Sequence, residues 1–215
     1  MNWEATFNQV VDALLPQLQD AESLKLSLTA EDSQFTRFNR GKVRQTGTVT
    51  KGGLDLTLMA HQRSANQSVP FTGDKATDWP ALMAALKDLR AELPQLPEDP
   101  YLVLPTTEAT SREVYAGQLL DELVPELMPP LANIDAAGLY AGGKTIRAYA
   151  DSAGARHWFE TDTFTLDYSL FNEEGKAVKG TYAGREWETA DYLRKLSASK
   201  LLLAQMDQPR KAVER

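Results

Sequence analysis

The chain has 215 residues, 42% of them hydrophobic and 25% charged, which is ordinary for a folded protein of one large domain or two small ones. It has no cysteine, which excludes disulfides, thiolate nucleophiles and cysteine zinc sites. Acidic residues outnumber basic ones 30 to 23, a formal charge of −7, which opposes direct binding of nucleic acid or of an anionic membrane surface.

Trp3, Phe7, Val10, Val11, Leu14, Leu15 and Leu18 recur at helical spacing and predict a first amphipathic helix. This opening has no basic stretch followed by an apolar one, so it does not read as a signal peptide. Apolar runs such as Leu201–Ala204 are too short to span a bilayer. A cytoplasmic location is the expectation.

Leu24, Leu26, Leu28 and Ala30 alternate with polar residues, as in a half-buried strand. Phe35 to Asn39 reads as a second strand and Val43 to Lys51 as a third, joined by a tight turn at Asn39-Arg40-Gly41-Lys42. Gly52-Gly53 before Leu54, Leu56 and Leu58 predicts another hairpin, because glycine tolerates positive φ. Trp79, Leu82, Met83, Leu86, Leu89 and Leu93 predict a helix over about Thr77 to Leu93, capped by Asp74 or Thr77. Pro94, Pro97 and Pro100 stop it and make Leu96–Pro100 the candidate linker.

Beyond the linker, Tyr101 to Leu104 reads as a short strand, and Leu119–Leu131 as a helical segment broken by Pro125, Pro129 and Pro130. Ile146, Ala148 and Ala150 alternate, a turn follows at Asp151–Gly154, and strands are expected at Arg156–Glu160 and Thr163–Phe171. Asn172–Gly175 reads as a turn into a strand at Ala177–Tyr182. A last helix is expected from about Thr189 to Met206, with Pro209 ending it. The fold class is then α+β, with mixed, mostly antiparallel sheets, helices packed on one face and two sub-domains, 1–97 and 98–215.

Gly138-Leu139-Tyr140-Ala141-Gly142-Gly143-Lys144-Thr145 matches the phosphate-cradling pattern G-x-x-x-x-G-K-T. That chemistry needs a buried strand before the loop and a helix after it. Asn133–Ala137 does not read as a buried strand and Ile146–Ala150 alternates, so the segment reads as a glycine-bearing β-turn. His61 and His157 have no partners at metal-ligand spacing and read as partly exposed strand histidines. No Gly-x-Ser-x-Gly elbow is present, and the pairs Glu98-Asp99 and Glu173-Glu174 fall in solvated turns. No catalytic residue and no metal ligand is assigned. The most suggestive polar set is Arg37, Asn39, Arg44 and Gln45, where a strand face could hydrogen-bond an extended peptide or a partner subunit.

The same segment carries a resemblance. Glu31–Gln45, with Arg37-Phe38-Asn39 at its centre, resembles the N-terminal signature of the TldD/PmbA family, also called the modulators of DNA gyrase. Leu96–Tyr101 resembles a linker of one bacterial branch. Tyr149-Ala150-Asp151-Ser152-Ala153-Gly154 resembles the family's Asn-Ser-x-Gly turn, with Asp151 in place of Asn. His157–Glu160 and Tyr182–Trp187 extend the match. The resemblance implies Asp151 and Ser152 as further candidates for peptide or partner binding.

The resemblance also implies an assembly. TldD-type members carry a His-Glu-x-x-x-His motif and a Cys ligand in a C-terminal domain that binds zinc and cleaves unfolded peptides; PmbA-type members lack the metal and pair with a TldD-type subunit. No counterpart of that metal-binding domain is present here, so zinc is expected only in TldD-type partners and the chain's own standing as an enzyme is left open. The expected role is the substrate-channel and dimerisation part of such a metallopeptidase, as a homo- or heterodimer acting on unfolded peptide and inactive alone. The alternative is a stand-alone binding or scaffold protein that uses an exposed strand edge or face. The polar end after Pro209 favours a piece of a longer protein over a naturally short member.

Overall fold

The computed structural model describes residues 2–120 and 123–206. The polar stretch that begins at Pro209 lies outside them. Four helices occur among these residues: α1 (Trp3–Leu14), α2 (Lys75–Glu92), α3 (Leu123–Leu127) and α4 (Thr189–Met206). Seven strands form the sheet: β1 (Ser23–Asn39), β2 (Lys42–Ala60), β3 (Arg63–Pro70), β4 (Thr110–Tyr115), β5 (Asp135–Asp151), β6 (Arg156–Phe171) and β7 (Ala177–Gly184). Their order is β3-β2-β1-β5-β6-β4, with β7 also pairing with β6. The sheet is antiparallel with helices packed against it, an α+β fold.

The chain divides into two compact units, each assembled from three separate segments. The first comprises Met1–Glu31, Thr50–Tyr115 and Thr145–Glu160; the second comprises Asp32–Val49, Ala116–Lys144 and Thr161–Arg215. Strands β1, β2, β5 and β6 each contribute residues to both.

In the first unit, α1 buries Trp3, Phe7, Val10, Val11 and Leu14 on one stripe, and α2 buries Leu82, Ala85, Leu86 and Leu89. They close over Leu24, Leu26 and Leu28 of β1, Leu54, Leu56 and Leu58 of β2, and Ile146, Ala148 and Ala150 of β5. Each fully buried Leu contributes about 1.5–3 kcal/mol of burial free energy. Both helices are capped by side chains: Asn2 accepts from the Ala5 amide at 3.1 Å and Asp74 from the Ala76 amide at 3.1 Å. The α2 entry is further held by buried Asp78, which accepts from the Thr72 amide and hydroxyl at 2.9 and 2.8 Å and from the Gly73 amide at 3.1 Å.

In the second unit, Phe38, Leu127, Leu131, Tyr140, Phe164, Leu166, Tyr168, Leu170, Tyr182, Tyr192 and Leu196 are buried together. Aromatic contacts dominate: Phe164 meets Tyr182 edge-on at 4.9 Å and Trp187 at 5.3 Å. The Tyr192 hydroxyl donates to the Leu127 carbonyl at 2.8 Å, which ties α4 to the end of α3.

Several expectations are corrected. Phe35–Asn39 is the far end of β1, and Gly52-Gly53 lies inside β2. Gly52 serves close approach, because a Cβ there would stand 2.5 Å from the Phe71 carbonyl and 2.7 Å from the Trp3 ring. The expected turn after Asn39 is present, with Arg40 and Gly41 at φ 52° and 63°, the geometry of a two-residue hairpin. Tyr101–Leu104 is not a strand; Tyr101 and Val103 are 87% and 76% exposed, and pairing begins only at β4. The helical segment shortens to α3 and a 3-10 turn at Pro129–Leu131, as its prolines dictate, with residues 121 and 122 outside the description. The strands expected at Arg156–Glu160 and Thr163–Phe171 are one strand, β6.

Candidate functional site

The sequence-expected polar set lies at the β1–β2 hairpin, within the second unit. Arg37 and Asn39 are exposed and alternate with buried Thr36 and Phe38, so both project from one strand face. A two-residue turn sets residue 37 opposite residue 44 and residue 39 opposite residue 42. Arg37, Asn39, Lys42 and Arg44 therefore share a face that is exposed and basic. Gln45 is exposed too, but strand alternation turns it to the other side from Arg44.

Asp151 and Ser152 lie in the first unit, at the β5–β6 turn, and join a different set of contacts. The Asp151 carboxylate is 3% exposed and accepts from the Tyr149 hydroxyl at 2.9 Å and from the Ala153 and Ala155 amides at 2.9 and 3.1 Å. Ser152 accepts from the Leu24 amide through its hydroxyl at 3.2 Å and donates its own amide to the Leu24 carbonyl at 3.0 Å.

The Gly138–Thr145 segment is neither a loop nor a β-turn. It runs inside β5, with no helix after it. Its glycines answer to packing: a Cβ on Gly138 would stand 2.4 Å from the Phe38 ring, and one on Gly143 would stand 2.2 Å from the Asp32 carbonyl. Of the histidines, His61 sits in the β2–β3 turn at φ 50°, not in a strand, and His157 lies on β6. Glu98 pairs with Arg63 at 2.8 Å, and Asp99 accepts from the Tyr101 amide at 2.9 Å. Among the described residues, no three His, Cys, Asp or Glu side chains converge to hold a metal ion.

Sequence reasoning missed a cleft of about 300 Å³ in the first unit. Glu4, Phe7 and Asn8 of α1 form one wall, Thr110, Ser111 and Arg112 of β4 another, and Arg156, His157 and Trp158 of β6 the floor. Arg112 grips Glu4 through two bonds of 2.7 and 2.9 Å, which raises its pKa above the ordinary guanidinium value. Arg156 donates from Nη2 to Asp12 at 3.0 Å, and Ser111 Oγ lies 2.8 Å from His157 Nδ1. No sequence signal joins these residues, since Glu4 and Arg112 are 108 positions apart and Asp12 and Arg156 are 144 apart.

The architecture is that of an α+β half shared with larger solved proteins. Three such structures are a candidate modulator of a DNA gyrase from Thermotoga maritima (TM-score 0.62, 10% identity), TldE from Thermococcus kodakarensis (0.67, 10%) and a candidate modulator of DNA gyrase from Bacteroides thetaiotaomicron (0.67, 13%). They cover 93%, 93% and 98% of this chain, which in turn spans 48%, 47% and 51% of theirs. At such identities the likeness speaks for the fold. No protein-family profile and no curated protein matches the sequence.

Proposed function

We propose that this chain is the substrate-channel and dimerisation part of a TldD/PmbA-type metallopeptidase assembly and holds no catalytic group itself. The observation that carries the reading is the fold: nearly the whole chain superposes on about half of TldE and of the two gyrase-modulator proteins. The ordered motifs from Glu31 to Trp187 support the same family. In this reading the basic hairpin face of Arg37, Asn39 and Arg44, with Gln45 beside it, contacts a TldD-type subunit or the unfolded peptide, and Asp151 and Ser152 at the β5–β6 turn are further contacts of the same kind. Hydrolysis then belongs to zinc in the partner's C-terminal domain.

Co-expression of this chain with a TldD-type subunit from the same genome tests this. The expected result is a co-purifying pair that hydrolyses denatured peptide, with the activity absent from this chain alone and the pairing weakened by Arg37→Glu with Arg44→Glu. Hydrolysis by a zinc-free preparation of this chain, or failure of the two proteins to associate, overturns it.

A second reading has its own observation. All six residues of β4 are exposed on an edge of the sheet, the arrangement through which a binding or scaffold protein adds a partner strand. Under that reading the chain associates with a non-peptidase partner, and substitution of the hairpin face leaves the association intact.

A further inference from the structure

We propose that the cleft between α1 and strands β4 and β6 binds a carboxylate group, with Arg156 Nη1 and Trp158 Nε1 as its donors. Both nitrogens are buried and neither has a hydrogen-bond partner, and both residues line the cleft. Guanidinium and indole nitrogens only donate, so nothing but an acceptor can satisfy them. Buried polar groups in folded proteins are almost always paired, and one left unpaired costs the full desolvation of the group. The two donors are two residues apart on β6, hence on one strand face, and a carboxylate carries one oxygen for each.

The surrounding charges decide its class. Arg112 is matched by Glu4 and Arg156 by Asp12, so the charges of these two pairs cancel. A monoanion gains a charge-assisted bond from Arg156 Nη1, the one guanidinium nitrogen of this residue that is buried without a partner. A dianion such as a phosphate monoester would bring a second charge beside Glu4, and both arginines of the lining are already paired with carboxylates. A neutral carbonyl would forgo the charge-assisted bond. Neither nitrogen is exposed, so binding requires side chains that line the cleft to part, and in this proposal the Arg112–Glu4 pair is the one that does. The Arg112 side chain is 62% exposed, and exposed ion pairs hold only weakly.

The carboxylate can come from a small organic acid or from the end of a peptide, and nitrogen-15 spectra of the full chain separate the sources. The chain has 4 tryptophans, and the Trp158 indole resonance is the one missing from Trp158→Phe, which keeps the ring packing. Three probes are titrated: acetate, N-acetyl-alanyl-alanine and the C-terminal amide of that dipeptide. The expected result is a saturable downfield movement of the Trp158 indole proton with a free carboxylate and none with the amide. Arg156→Gln, checked for folding by its dispersed spectrum, weakens the response by roughly tenfold or more. A dipeptide that binds roughly tenfold more tightly than acetate identifies the peptide end; equal binding identifies the small acid. No movement by about 20 mM of either acid, an equal response to the amide, or an unchanged affinity in Arg156→Gln overturns the proposal.

Discussion

The Tyr149 hydroxyl donates to Asp151 Oδ2 at 2.9 Å, two residues along the same strand, while Asp151 Oδ1 takes the amides of Ala153 and Ala155. One buried carboxylate thus closes the β5–β6 turn and fixes a phenol on the strand before it. Burial, the hydrogen bond to Asp151 and the charge of that carboxylate, in that order, push the Tyr149 pKa up to about 12. Asp151→Ala should cost about 2–4 kcal/mol in denaturant melts, because the buried Ala155 amide and the part-buried Ala153 amide lose their acceptor. Asp151→Asn should cost less than about 1.5 kcal/mol, since the amide oxygen still accepts both. It should also lower the Tyr149 pKa, visible as an earlier phenolate absorbance in an alkaline titration. Equal destabilisation by both substitutions would contradict this account of the turn.

Arg90 holds Glu22 with two bonds, 2.8 Å from Nε and 2.7 Å from Nη2, and also reaches the Gln17 carbonyl at 2.6 Å. The Gln19 amide donates to the same carboxylate at 2.7 Å. The Arg90 hydrogen bond is the main cause that holds Glu22 below its ordinary value of 4.5. The folded pKa is depressed, so the stabilisation is present above the unfolded value and is lost as pH falls through the folded one. Glu22→Gln should cost about 1–3 kcal/mol at neutral pH, the lower part applying because the Arg90 side chain is 25% exposed. The variant should lose less stability than the wild type below about pH 4.5, which thermal melts across an acid series would detect.

Much of the fold is written in short-range pattern. The alternation Leu24, Leu26, Leu28, Ala30 marks the buried face of β1, the stripe from Trp3 to Leu14 marks α1, and Thr189–Met206 is the last helix. What failed was continuity. Glu31-Asp32-Ser33-Gln34 falls between the two strands expected at Leu24–Ala30 and Phe35–Asn39, yet β1 runs through it because β2 and β5 flank it on both sides, and no local signal reports distant partners. Gly52-Gly53 looks like a turn because the ring that needs the space belongs to Trp3. For the candidate sites, the exposure of Arg37 and Asn39 followed from the two-residue period. The cleft was illegible because its ion pairs join α1 to residues more than a hundred positions away.

Gly143 shows the same principle in a form that can be tested. A Cβ at this position would lie 2.2 Å from the Asp32 carbonyl oxygen and 2.5 Å from the Ser33 Cα, both backbone atoms that cannot swing aside. Gly143→Ala should therefore destabilise the protein by about 2–4 kcal/mol, as overpacking and backbone displacement do. If the glycine served a phosphate loop, its replacement would instead abolish nucleotide binding with little effect on the melt. Calorimetric titration of the wild type with ATP should show no saturable heat, since β5 presents paired strand amides where a phosphate cradle needs a loop and a helix N-terminus.

Tyr140 packs parallel to Phe164 with ring centres 6.1 Å apart and is wholly buried, yet its hydroxyl has no hydrogen-bond partner. The hydroxyl fits because residue 142 is glycine; a Cβ there would stand 2.5 Å from it. Burial alone pushes the Tyr140 pKa up to about 12 from an ordinary 10.0. Tyr140→Phe keeps the ring contact and removes the unpaired group, so it should stabilise the protein by about 1 kcal/mol rather than weaken it. The pH dependence has a definite sign. A raised folded pKa contributes stability that is whole below about pH 10 and is lost between about 10 and 12, because only the unfolded chain ionises in that window. Tyr149 falls in the same window, and Tyr192 is shifted in the same direction. The melting temperature of the wild type should decline above about pH 10, and Tyr140→Phe should decline less steeply; identical alkaline slopes would mean that water reaches the hydroxyl in solution and its pKa is not raised.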